Sequence, residues 1–262
     1  MSLAQNEINE SLQLVIDTFK EFRPELMSHY GNIEHTSKDN DSPVTELDVK
    51  VETVVKQRLA AAYPHIGFHG EETDDIASVS GATWIIDPID GTSSFTHGLP
   101  YCTNMAGLVV DGATVAAVIY QFVTDDLYTA TRGGGAYRNG ERICVKNKPL
   151  NDSIVFASSF PYKALYPLLQ PHKIGLYAPL GASGYEFTRL AQGSIQGVTK
   201  LRCGSQIHDD VPGVLIAQEA GAVVESFENQ DYTPDTLQFV IGTPNFMEVT
   251  ISNKAKITQL IQ

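Results

Sequence analysis

Apolar residues at Leu3, Ile8, Leu12, Leu14, Val15 and Phe19, with Glu7, Glu10 and Asp17 between them, recur at roughly helical spacing. The pattern predicts a first helix that stops near Arg23-Pro24, because proline removes a backbone donor and crowds the preceding turn. The polar run Thr36-Ser37-Lys38-Asp39-Asn40-Asp41-Ser42-Pro43 then breaks the periodicity and reads as a mobile loop. A second helix is expected from about Thr45, with Val51, Val54, Val55 and Leu59 as its apolar stripe and Pro64 as its stop. Ile66-Gly67-Phe68 follows as a short strand.

From Ala82 the period changes. Thr83-Trp84-Ile85-Ile86 is a β-rich apolar run expected to end at Asp87-Pro88, which places the next loop at the carboxyl end of a buried strand. Asp111-Gly112 and Asn139-Gly140 each sit between apolar runs and read as tight hairpin turns, so residues 103 to 146 are expected to form an antiparallel meander. Ser153 to Ser159 reads as a strand and Tyr185 to Ala191 as a helix. Val211 to Ala220 reads as a nearly all-apolar helix stopped by Gly221, and Val223-Val224 and Phe239-Val240-Ile241 as further strands. No internal repeat or linker interrupts the chain, and the elements predict a mixed α/β fold with helix layers covering sheet.

Composition narrows the function more than the fold. Eighteen basic against 31 acidic residues leave a formal charge of -13, which repels a polyanion at long range and disfavours a nucleic-acid partner. Cys102, Cys144 and Cys203 are odd in number and widely spaced, which suggests neither a disulfide framework nor a thiolate zinc site. No run approaches a membrane span, and the amphipathic, acidic first 23 residues do not look like a leader, so a cytoplasmic protein is expected.

Carboxylates cluster at three places. Gly70-Glu71-Glu72-Thr73 follows a short apolar strand, and two adjacent acids on extended chain point to opposite sides, so one can face inward. Asp87-Pro88-Ile89-Asp90-Gly91-Thr92 closes the strand at Trp84 to Ile86, where α/β folds place ligands, and two acids in one tight turn call for an oxygen-seeking cation such as Mg²⁺. Asp209-Asp210 opens the apolar helix. Taken singly, each has a plainer reading: a turn for Asp87 to Thr92, a helix cap for Asp209, a solvated face for Glu71-Glu72.

Together they resemble the inositol monophosphatase family of Mg²⁺-dependent phosphatases. Val44-Thr45-Glu46-Leu47-Asp48 with Glu52, Phe95-Thr96-His97-Gly98-Leu99-Pro100, Gly133 to Gly140, Gly181 to Gly193 and Gly204 to Gly221 extend the match over about residues 5 to 250. The resemblance implies a layered αβαβα fold forming one catalytic domain over 1–262, with sub-regions of about 1–148 and 149–262. It implies a first Mg²⁺ on Glu71, Asp87 and the carbonyl of Ile89, and a second on Asp87, Asp90 and Asp209, with Asp87 bridging. Glu71 and Thr92 would orient the attacking water, with no phosphoenzyme. Gly91, Thr92 and Ser93 would supply donors to the phosphate, and Thr45, Asp48 and Glu72 would stand behind the metals, Asp48 with a third ion as an option. Homodimerisation, lithium sensitivity and a small phosphate-ester substrate follow from the same resemblance.

Departures from the family pattern bear on substrate. Arg202 stands where inositol-hydrolysing members carry a Glu that accepts sugar hydroxyls; a guanidinium suits an anion such as a second phosphate, or else is a solvated strand end. Ser183 stands in place of Ala and Ser94 in place of Asn, and His208 replaces Trp before the metal Asp, expected to face solvent or to sit behind the ligands. The reading is therefore a Mg²⁺-dependent phosphomonoesterase for an inositol monophosphate or related sugar phosphate. Alternatives are a fructose 1,6-bisphosphatase, a nucleotide 3′-phosphatase, or a regulatory protein-binding member. A haloacid-dehalogenase loop needs one residue between its aspartates, whereas Pro88 and Ile89 intervene here. The four acids Glu71, Asp87, Asp90 and Asp209 belong to the net negative charge, and bound divalent ions would cancel them locally, reconciling an acidic chain with an anionic substrate.

Overall fold

The computed structural model describes residues 3–37, 43–157, 165–201, 206–228 and 230–261. A 25-residue helix α1 (Gln5–His29) buries Ile8, Leu12, Val15, Ile16, Phe19, Phe22 and Leu26 along one stripe. It runs through Pro24 instead of stopping there, because Phe22 and fully buried Leu26 keep the stripe in the core on both sides of the proline. Thr36–Ser37 (β1) and Pro43–Val44 (β2) pair antiparallel at the two ends of the expected mobile loop, whose centre, 38–42, lies outside the described residues. Helix α2 (Glu46–Ala62) begins at its Thr45 cap as expected and buries Leu47, Val51, Val55 and Leu59. Both helices pack on one face of a seven-stranded sheet.

That sheet runs in the order β3 (Gly67–Gly70), β4 (Ala82–Asp90), β5 (Thr103–Val110), β6 (Ala113–Gln121), β7 (Asp126–Thr131), β8 (Gly135–Arg138), β9 (Glu141–Ile143). β3 and β4 are parallel and the rest is the expected antiparallel meander. Its Asp111-Gly112 and Asn139-Gly140 turns have φ of 49° and 77°, and 51° and 81°, the left-handed pairs that a two-residue hairpin requires. Between β4 and β5 lies the short helix α3 (Thr92–Thr96).

The second sheet has five strands in the order β11 (Gly175–Tyr177), β10 (Ile154–Ala157), β12 (Gly197–Lys200), β14 (Phe239–Gly242), β13 (Val223–Ser226). β10 covers the described part of the strand expected at Ser153 to Ser159. Between the sheets lie α4 (Ser183–Ala191) and α5 (Ile207–Glu219). One side of this layer packs Ala191, Leu215 and Ile216 against Met105, Ala117 and Ile119. The other packs Phe187, Leu190, Val214 and Ala217 against Val198, Phe239 and Ile241. The outer face of the small sheet is covered by α6 (Pro244–Ser252) and α7 (Lys254–Ile261) through Phe246, Met247 and Ile257. The layers are thus α, β, α, β, α. Among the described residues no helix is long and apolar enough to cross a membrane.

Candidate metal centre

Strand β4 does not end at Asp87 but continues to Asp90 through a register shift: Asp87 pairs with Met105 and Asp90 with Thr103. Three steps along β4 thus match two along β5, so one extra residue is accommodated as a bulge. Its consequence is chemical. Two residues three apart on a regular strand point to opposite faces, whereas the extra residue returns Asp90 to the side of Asp87. The bulge is fastened by Asn104, whose Nδ2 donates to the carbonyl of Pro88 at 2.5 Å.

The loop carrying Glu71 is held by a buried acid. Glu52, fully buried on α2, accepts the backbone N–H groups of Glu71 and Glu72 at Oε2 (2.8 and 3.0 Å) and that of Thr73 at Oε1 (2.6 Å). Gly70 is glycine for the same reason, since a Cβ there would collide with the Glu52 carboxylate. Asp209 arrives from the opposite side in the first turn of α5, where its Oδ2 accepts the N–H of Gln206 at 2.8 Å. It is the third residue of the helix and not its cap, because α5 begins at Ile207, ahead of the expected Val211, and Pro212 falls inside it.

These elements bring together most of the expected site. Asp87, Asp90 and Asp209 each offer an oxygen within 4.8 Å of the others, and Glu71, Asp87 and His208 form a second group within the same distance. Asp87 belongs to both. It is 2% exposed, and its Oδ1 has no hydrogen-bond partner among the described residues. Burial pushes its carboxyl well above the usual carboxylate range, and the charges of Glu71, Asp90, Asp209 and Asp48 push it further. Asp90 is raised to about 7 by burial and by Asp209, against the hydrogen bonds it accepts from Gly184 N (2.8 Å), Thr103 Oγ1 (3.0 Å) and Ser183 N (2.9 Å). So much repulsion in one buried place fits a divalent cation: an orphaned carboxylate oxygen beside hard oxygen donors is the ligand set that Mg²⁺ takes.

Behind the carboxylates, Thr92 Oγ1 lies 3.1 Å from Asp48 Oδ1 and 2.9 Å from the carbonyl of Ile89. Asp48 is fully buried; its Oδ2 accepts the Thr45 hydroxyl at 2.5 Å and the Thr45 N–H at 2.8 Å. Burial raises its pKa, partly offset by these bonds and that of Thr92. Gly91 opens α3 at φ 80°, where a Cβ would strike the carbonyl of Tyr101. The N–H groups that follow it, at half-buried Thr92 and exposed Ser93, are at a helix start and lack intrahelical acceptors. Glu72 contributes its N–H to Glu52. Of the two places expected for His208, the structure leaves out the solvent-facing one: the residue is 7% exposed, with Nε2 3.8 Å from Glu71 Oε2.

Three polar groups beside the site had no part in the sequence reading. Lys200, at the end of β12, donates to Ser183 Oγ at 2.6 Å and lies 3.3 Å from Asp210 Oδ1. Burial acts to lower its pKa, but Asp210, Glu186, Asp209 and Asp90 outweigh that and raise it. Glu186 on α4 and Thr103 on β5 complete the polar lining. A lysine ending the run Gly197-Val198-Thr199 is the local signal for this cluster, whose acids Glu186 and Asp210 come from the helices on either side of β12 in the chain. Arg202 lies outside the described residues.

A family model described as the inositol monophosphatase family matches residues 5–261. The chain belongs to the inositol monophosphatase family. An inositol monophosphatase from Dictyostelium discoideum is 38% identical to this family member over 258 residues, 92% of this chain and 93% of that one. A histidinol-phosphatase from Chlorobaculum parvum is 40% identical over 136 residues, 51% of this chain and 52% of its own. The crystal structure of the extragenic suppressor protein SuhB from Bartonella henselae superposes with a TM-score of 0.81 at 26% identity, covering 96% of this chain and 98% of that one. The αβαβα layering is therefore that of the inositol monophosphatase family.

Proposed function

We propose that the protein is a divalent-cation-dependent phosphomonoesterase that hydrolyses the phosphate ester of a small polyol or related metabolite by direct attack of water. The observation that carries this reading is Asp87, buried with an unpartnered oxygen and shared between two ligand groups. In the proposed assignment Glu71, Asp87 and the Ile89 carbonyl hold one cation, and Asp87, Asp90 and Asp209 hold another. When bound, such ions lower the pKa of water and stabilise charge on the leaving oxygen.

The chain's own groups do the rest. A Thr92 hydroxyl that donates to Asp48 turns its lone pairs outward and can accept a hydrogen bond from the attacking water, taking the water's proton only as its own passes to Asp48. Asp48 stays in place because Thr45 caps it twice. Glu71 is the second acceptor, and Glu52 keeps it at the site through the loop backbone. Gly91, Thr92 and Ser93 present N–H and hydroxyl donors to phosphate oxygens, and Ser183, steadied by Lys200, faces the rest of the substrate. Homodimer formation and lithium inhibition belong to the same reading.

The similar SuhB protein of Bartonella henselae is named as an extragenic suppressor, which keeps a regulatory, protein-binding role as the alternative. A set of mutually repelling acids, with Asp87 and Asp90 buried, favours catalysis over a purely binding role, because without cations it is a standing cost to the fold. The stereochemistry at phosphorus tests the mechanism: inversion on hydrolysis of an isotopically chiral phosphate ester is expected for one direct displacement by water, whereas retention would show a phosphoenzyme.

A further inference from the structure

The group formed by Glu71, Asp87 and His208 differs in kind from the group formed by Asp87, Asp90 and Asp209, because one member is a nitrogen donor. His208 reaches it from the first turn of α5, one residue before Asp209. Its side chain is 9% exposed, and Nδ1 has no hydrogen-bond partner among the described residues. Nothing about that burial is accounted for by hydrogen bonding to Glu71, since the 3.8 Å between Nε2 and Glu71 Oε2 exceeds the roughly 3.2 Å limit of a good bond. The distance instead suits two atoms sharing one ion. With metal–ligand bonds of about 2.1 Å, two ligands stand about 3.0 Å apart at a right angle, about 3.4 Å at a tetrahedral angle and about 4.2 Å when opposite.

We propose that His208 ligates through Nε2 the cation position built by Glu71 and Asp87, so that this position prefers a transition ion, Zn²⁺ or Mn²⁺, over Mg²⁺. Imidazole nitrogen binds first-row transition ions far better than Mg²⁺, which takes carboxylate, carbonyl and water oxygens. The neighbouring position, with Asp87, Asp90 and Asp209 as donors, is all oxygen and suits Mg²⁺. The centre is then chemically asymmetric, with the nitrogen-bearing position on the side where Glu71 and Thr92 meet the attacking water. The proposal rests on the reading of the carboxylates as a cation centre, and it adds the identity of one ligand and of one ion.

The test reads the bond itself and not turnover. Mn²⁺ is titrated into metal-free protein at one equivalent, and electron spin-echo modulation is recorded for the wild type and for His208→Phe and His208→Gln. Modulation from a directly bound ¹⁴N in the wild type, absent in both variants, is expected. Zn²⁺ affinity in calorimetry should fall about 10- to 100-fold in the variants while Mg²⁺ affinity moves less than about threefold. Bound Mn²⁺ without nitrogen modulation would overturn the assignment of His208 and leave the carboxylate centre standing. Failure to bind Mn²⁺ at all would remove both. Circular dichroism of the two variants separates loss of the ligand from loss of the fold.

Discussion

Glu52 never reaches the cation positions, yet its Oε2 accepts the backbone N–H of Glu71 at 2.8 Å and thereby sets where the Glu71 side chain begins. A buried carboxylate that holds a loop through several N–H donors is rigid only while all its bonds are made. Glu52→Gln replaces one acceptor oxygen by an NH₂ that faces N–H groups. It should lower stability by about 2 to 3 kcal/mol and kcat by at least tenfold, read by chemical denaturation and steady-state kinetics. A variant of unchanged stability and rate would take Glu52 out of the account. Gly70→Ala, which pushes into the same carboxylate, should give the same pair of losses.

Asp87 gives a prediction of opposite sign for fold and function. Its carboxyl is raised in the folded protein, so between the unfolded and folded pKa values the folded state holds the extra proton, and stability falls as pH rises through that window. Asp90, raised to about 7, behaves alike between about pH 4 and 7. Asp87→Asn should therefore raise the melting temperature of metal-free protein at pH 8 more than at pH 5, abolish stabilisation by added cation and abolish turnover. Calorimetric melts with and without chelator check all three. A metal-free melting temperature at pH 8 that falls in the variant would contradict the electrostatic reading of the cluster.

Thr92 separates orientation of water from binding of substrate. Thr92→Val keeps the shape but loses the hydroxyl that meets Asp48 and Ile89. The expected result is a kcat lower by about 10² to 10³ with KM changed less than about threefold. A KM effect alone would place Thr92 in substrate binding.

Lys200 is a matter of stability first. Removing it takes the Lys200 ammonium from beside Asp210, which is 2% exposed, and the expected cost of Lys200→Met is about 3 to 5 kcal/mol. The double variant Lys200→Met/Asp210→Val, which removes both charges, should recover most of it. A loss in the double variant equal to the sum of the losses in Lys200→Met and Asp210→Val alone would mean that the pair is not coupled.

The sequence foretold the layers better than the local boundaries. Apolar periodicity and the two Asx-Gly turns located α2 and the meander because both signals are local. Pro24 and Asp87-Pro88 misled about where α1 and β4 end: burial of Leu26 carries the helix past one proline, and the pairing of Asp90 with Thr103 carries the strand past the other. The same holds at the site. Asp87, Asp90, Asp209 and Glu71 were legible only together, because singly each has a structural use as turn, cap or solvated face and only their joint pattern resembles the family's. The bulge that turns Asp90 toward Asp87, the ion pair of Lys200 with Asp210, and the burial of His208 depend on contacts between separate elements, which local periodicity does not report.

The central claim is that this carboxylate cluster is a cation-dependent phosphatase centre. It is tested most directly by phosphate release from a panel of inositol, sugar, nucleotide and histidinol phosphates, measured in chelator and with Mg²⁺ alone or with Zn²⁺ or Mn²⁺. Release from at least one ester is expected only when cation is present, and none from Asp87→Asn under any condition. Release that persists in chelator, or that survives Asp87→Asn, would contradict it.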